Sequence, residues 1–68
     1  MNAVERVAQR IEAGESAGVM SCGEQIAAAL IYNRMDWLPS DYNHVLDAID
    51  RLGTNWFAMV MEYRKDNS

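Results

Sequence analysis

One cysteine, one histidine and four closely spaced aspartates carry most of the reactive chemistry in this 68-residue chain. Cys22 follows Ser21, a helix start signal, which puts its thiol in the first turn of a helix. Free amides and the helix dipole at that end lower a thiol pKa and favour the nucleophilic thiolate. A catalytic cysteine also needs a base held beside it, and the single histidine, His44, is the one available. Nothing in the spacing brings the two together, so Cys22 reads as a small buried thiol. His44 has Asp41 and Asp47 three residues away on either side. One histidine and a carboxylate are too few ligands to define a metal site, so His44 reads as a solvated surface residue. There is no zinc-ligand spacing, no serine-histidine-acid set and no glycine-rich phosphate loop. The expectation is a protein that is not an enzyme and has no catalytic, cofactor-binding or metal-ligating residues.

The aspartates point elsewhere. Asp36, Asp41, Asp47 and Asp50 fall within fifteen residues, with no lysine or arginine between Arg34 and Arg51. Asp47 and Asp50, three apart, share a helix face, while Asp36 and Asp41 lie near its start. One reading is helix-dipole compensation by Asp41 plus an ordinary wet face. The sharper reading is an acidic patch that docks on Lys and Arg of another protein, a basic or nucleic-acid-binding one. Trp37 and Met61 join this set, because Trp and Met are enriched at interfaces. Met59 and Met61 are two apart and cannot both centre one buried stripe. Trp37 has a second role open to it, closing the core between the second and third helices. Asp36, Trp37, Asp41, His44, Asp47, Asp50 and Met61 are therefore the candidate partner-binding residues.

Four helices must hold these groups. Val4, Val7, Ala8 and Ile11 recur at helical spacing and predict a first helix over residues 3–13, stopped by Gly14. A loop follows, with Val19 and Met20 expected to fold back onto the core. Ser21 and Glu24 form a capping-box pattern that opens a second helix, 22–34. That helix contains Ile26-Ala27-Ala28-Ala29-Leu30-Ile31, apolar on every side, so it belongs in the middle of the fold. Pro39 separates it from a third helix, 41–52, capped by Ser40 or Asp41. Tyr42, Val45, Leu46, Ile49 and Leu52 are the expected buried stripe there, with Asn43, His44, Asp47, Asp50 and Arg51 facing water. Gly53 ends that helix, and Thr54 or Asn55 caps a fourth, 55–64, whose core face is Trp56, Phe57, Val60 and Tyr63. A short strand is the runner-up for this last segment, but no second strand-like segment exists to pair with it. The fold class is all-α, a compact bundle of four short helices forming a single small domain, 1–68.

Bulk composition narrows the partners. A chain of this size hides only about 60% of the surface its unfolded form exposes. Such cores leave ~3–5 kcal/mol unless a staple or a second subunit helps. With one cysteine no internal disulfide is possible, and half the residues are apolar. A homodimer is the expectation. Six basic residues against ten acidic give a net charge of −4, which disfavours direct nucleic-acid binding. A helix-turn-helix reading fails for the same reason, since its reading helix would present Asp47 and Asp50 to phosphates. No stretch is long enough to span a membrane, and the N-terminus lacks a secretory layout. A cytoplasmic protein is expected.

The segment Gly23-Glu24-Gln25-Ile26-Ala27-Ala28-Ala29-Leu30, with Asn33-Arg34, Asp36-Trp37-Leu38, Ala48-Ile49-Asp50-Arg51-Leu52-Gly53 and Trp56, resembles short proteins of proteobacterial phages and prophages. That group has no assigned activity, so the resemblance implies a genomic setting and no catalytic residues. In size and acidity the chain is also similar to phage inhibitors of host machinery, anti-CRISPR proteins among them. The function expected is a small acidic binding module that occupies a surface of a host protein as an inhibitor or modulator. The alternative is a self-assembling structural or accessory protein with no separate target.

Overall fold

The computed structural model describes residues 2–66, and among them the chain is all-α. Four α-helices, α1 (Ala3–Glu12), α2 (Cys22–Ile31), α3 (Val45–Leu52) and α4 (Thr54–Asp66), are joined by 3₁₀ turns at Ala17–Val19, Met35–Trp37 and Ser40–Tyr42.

The first two helices are bounded by short-range chemistry. Asn2 accepts the Glu5 amide at 2.9 Å and Glu5 accepts the Asn2 amide at 3.0 Å, a reciprocal cap that starts α1. At the other end Gly14 turns left-handed at φ 100°, and the amides of Gly14 and Glu15 return to the carbonyls of Ile11 and Arg10. This closure satisfies carbonyls the helix leaves open, and it suits glycine because no Cβ resists a positive φ. Ser21 and Glu24 cap α2 as the sequence predicts, with bonds of 3.1 and 3.4 Å. The end of α2 comes earlier than expected. Asn33 adopts φ 53°, and the Asn33 and Arg34 amides bond back to Leu30 and Ala29 at 3.3 and 2.8 Å. The helix therefore stops at Ile31, three residues short of the expected end at Arg34. Asn is among the few side chains that tolerate this conformation.

Helix α2 occupies the centre. Ile26, Ala27, Ala28 and Ala29 are wholly buried and Leu30 nearly so. It packs against α1, α3, α4 and the turns at 17–19 and 35–37. On one side lie Val4, Leu38, Ala48, Leu52 and Val60 with Ile26, Ala27, Ala29 and Leu30. On the other lie Val7, Ala17 and Met20 with Ala28. The alanines give no side chain to hold neighbours off, so elements close in from both sides. Trp37 and Trp56 pack against both groups.

Four further expectations need correction. Val19 is 71% exposed; Met20 turns inward as expected, and Ala17 joins it in place of Val19. Thr54 lies inside α4 and not before it, because the Gly53 carbonyl accepts the Phe57 amide at 3.0 Å and opens the helix one residue sooner. Helix α3 begins at Val45, not 41, because Ser40–Tyr42 closes its own 3₁₀ turn and His44 is extended at φ −95°, ψ 129°. Its buried side also differs. Ala48 is wholly buried with Leu52, while Leu46 is 67% and Val45 37% exposed. At 100° per residue Leu46 points away from the line of Ala48 and Leu52. The small residue wins the core because α2 offers an alanine surface that a large side chain would lift α3 away from.

Candidate interaction surface

The candidate residues separate into three places. Trp37 is turned inward. Its ring lies 5.8 Å from that of Tyr32, tilted by 60°, and its carbonyl accepts from Gln25 Nε2 at 2.8 Å. The Arg34 guanidinium sits 4.9 Å from the ring centroid. The same guanidinium donates to both carboxylate oxygens of Asp36, at 3.0 and 2.9 Å. Hydrogen bonds from Arg34 accordingly hold the Asp36 carboxyl below its ordinary pKa. Trp37 closes the core between α2 and the 35–37 turn, and Asp36 has its charge answered within the chain.

His44 starts α3. Its Nδ1 accepts the Leu46 amide at 3.3 Å, so one ring nitrogen is engaged in capping. The Cys22 thiol is half-buried against the larger apolar group, and among the described residues it makes no hydrogen bond to His44. No cluster of three or more metal-ligating side chains forms among the described residues. No helix is long and apolar enough to cross a membrane among them either.

Asp41, Asp47 and Asp50 form the third place. All three are exposed along α3 and the turn that enters it, and no ion pair among the described residues involves them. Asp50 also edges a notch of about 220 Å³ between α3 and α4, lined with Ile49, Gly53, Thr54 and Phe57. Leu46 lies one helical turn before Ile49 and Asp50, and Met61, 50% exposed, one turn after Phe57. Leu46, Ile49, Phe57 and Met61 thus make an apolar band bent around the Gly53 corner. Sequence reasoning placed Met61 at a surface but assigned Leu46 to the core.

No family model, curated protein or solved structure matches this chain. The surface therefore has to be read from its own chemistry.

One charged cluster outside this face is structural. Arg10 donates to Glu15 at 3.0 Å and to Glu24 at 3.2 Å, joining the end of α1 to the cap of α2. Glu24 also accepts the Ser21 amide. Hydrogen bonding from the Ser21 backbone, helped by its hydroxyl partner and by Arg10, holds the Glu24 carboxyl below its ordinary value of 4.5. A depressed carboxylate stabilises the fold above its unfolded pKa and loses that contribution as pH falls through the folded one. Urea midpoints should therefore drop as pH falls below about 4.5. Glu24→Gln, which keeps the shape without the titration, should start lower at pH 7 and lose less on acidification. Equal losses in both proteins would remove Glu24 from the acid response. At the other end of α2, the Tyr32 hydroxyl donates to the Ala8 carbonyl at 3.3 Å, and burial, with Tyr63 and Glu12 nearby, raises its pKa.

Proposed function

We propose that this chain is a small acidic protein-binding module that acts by occupying a basic surface on another protein. The observation that supports this most is the flank of α3, where Asp41, Asp47 and Asp50 stand exposed and without ion-pair partners beside exposed Val45 and Leu46. Unanswered surface carboxylates raise the encounter rate with Lys- and Arg-rich surfaces and set orientation on contact. The adjoining apolar groups supply the water-excluding contact that charge alone lacks. In a phage or prophage setting, which the sequence resemblance implies, this reading takes the form of an inhibitor or modulator of host machinery, as anti-CRISPR proteins are.

The test compares two immobilised baits in host lysate, the wild type and the triple variant Asp41→Asn, Asp47→Asn, Asp50→Asn. A specific protein captured by the wild type at low ionic strength should fall at least about tenfold, both in high salt and with the triple variant. Capture that is indifferent to all three carboxylates would overturn the reading. Exposed Leu46 and Met61 favour a second reading, a self-assembling accessory protein with no separate target.

A further inference from the structure

We propose that the α3–α4 corner is a self-association face, on which two copies pair about a twofold axis through the notch at Gly53. In this pairing the α3 of each copy lies against the α4 of the other. The inference starts from the apolar band; because Leu46, Asp47 and Asp50 also belong to the surface proposed above, a second copy and a basic partner would compete for this face.

The first support is the layout of the band. Leu46 lies seven residues before Gly53 and Met61 eight after it, at helical rises of roughly 10 and 12 Å from the corner. The two arms are thus nearly equal in length, and each carries a large apolar side chain that is at least half exposed. Ile49 and Phe57, half-buried, fill the floor between them. A twofold axis along the bisector of such a corner places each arm over the unlike arm of the second copy. Leu46 then meets Met61 of the second copy twice, and both notches close.

The second support is charge. The α3 arm carries Asp50 at the notch and Asp47 beside it, with Arg51 farther round the helix. The α4 stripe of Thr54, Phe57 and Met61 continues to exposed Arg64. Crossed arms bring the carboxylate-bearing arm towards the guanidinium-bearing one. Like-on-like pairing would instead set Asp47 and Asp50 against their own copies in a chain already at −4. A uniformly basic ligand would meet Arg64 with the wrong sign. Opposite signs on equal arms fit a second copy of this chain, with the isologous symmetry usual in dimers.

The third support is size. A standard interface buries ~800 Å² on each partner, roughly a fifth of the 4398 Å² surface of this chain. Two short arms approach that area only when both engage, so the pairing should be reversible and concentration-dependent.

Sedimentation equilibrium over a wide concentration range tests this. The wild type should move from monomer towards dimer mass as concentration rises. Leu46→Asp and Met61→Asp, both at exposed positions, should each lower the association constant at least about tenfold, because a carboxylate would be desolvated opposite an apolar group. Helical circular dichroism of both variants should match the wild type. The crossed arrangement has its own test: Asp47→Arg and Arg64→Asp should each weaken association, and the double variant should recover most of it. A wild type that stays monomeric at the highest soluble concentration overturns the proposal. A dimer indifferent to Leu46→Asp overturns the face, and a double swap that restores nothing overturns the crossed arms.

Discussion

Ile26→Ala should leave much of this protein unfolded at room temperature. Ile26 leads the fully buried side chains by volume and stands at the centre of α2, against the group that includes Val4, Leu38, Ala48 and Val60. Truncating a buried isoleucine removes its transfer free energy and leaves a cavity, together ~2–5 kcal/mol. A core of this size supplies only ~3–5 kcal/mol in total, so one truncation takes most of it. Local collapse would soften the loss where a neighbour can move in. The neighbours here are alanines on α2 and residues of other helices already in contact, so little can shift. Urea unfolding followed by circular dichroism measures the effect. A loss under about 1 kcal/mol would mean that α2 is not the centre of the core. Ile11→Ala is the matched comparison, since Ile11 is only partly buried at the edge of the smaller apolar group. It should cost distinctly less.

The parts of this fold that were legible in the sequence are those decided within four residues. Ser21 with Glu24 announced the start of α2, Gly14 the end of α1, and the unbroken run Ile26 to Leu30 the buried helix, because each rests on a local bond or a local pattern. Asn33 is also local, but its left-handed turn competes with continued helix, and nothing in the neighbouring residues decides between them. The rotation of α3 was not legible. Ranking by apolar size selects Val45 and Leu46, whereas the surface α3 meets is made of alanines and accepts Ala48 and Leu52 closely. The choice depends on a helix some twenty residues away, which no pattern along α3 encodes. The same limit hid the tie from Arg10 to Glu24, fourteen residues apart. Asp36, spaced like its neighbours, is answered by Arg34 two residues before it, while Asp41, Asp47 and Asp50 are not. Leu46, assigned to the core by type, stands outside and joins Met61 at the surface.

Gly53→Ala and Gly23→Ala should change stability in opposite directions, although each adds one methyl group to a glycine with open space around it. A Cβ at either position meets nothing within 4 Å, so steric crowding by neighbours is removed from the comparison. Gly53 holds φ 91°, ψ 159°, a backbone region open essentially to glycine alone, where an alanine costs ~1–3 kcal/mol. Gly23 sits in the first turn of α2, where alanine restricts the unfolded chain and favours helix by ~0.5–1 kcal/mol. Urea midpoints should therefore fall for the first variant and rise for the second. A chain of this length is within reach of chemical synthesis, which allows a stricter control. D-alanine at position 53 matches the observed positive φ and should restore most of what L-alanine loses. If L- and D-alanine behaved alike, the corner would not be held by backbone geometry. If they separate as expected, Gly53 sets the angle between α3 and α4, because the single residue between the two helices leaves no other hinge. The notch between Ile49 and Phe57, and the spread of the arms bearing Leu46 and Met61, then follow from one dihedral pair. Strain at that residue should consequently disturb the α3–α4 face even where the core beneath it survives.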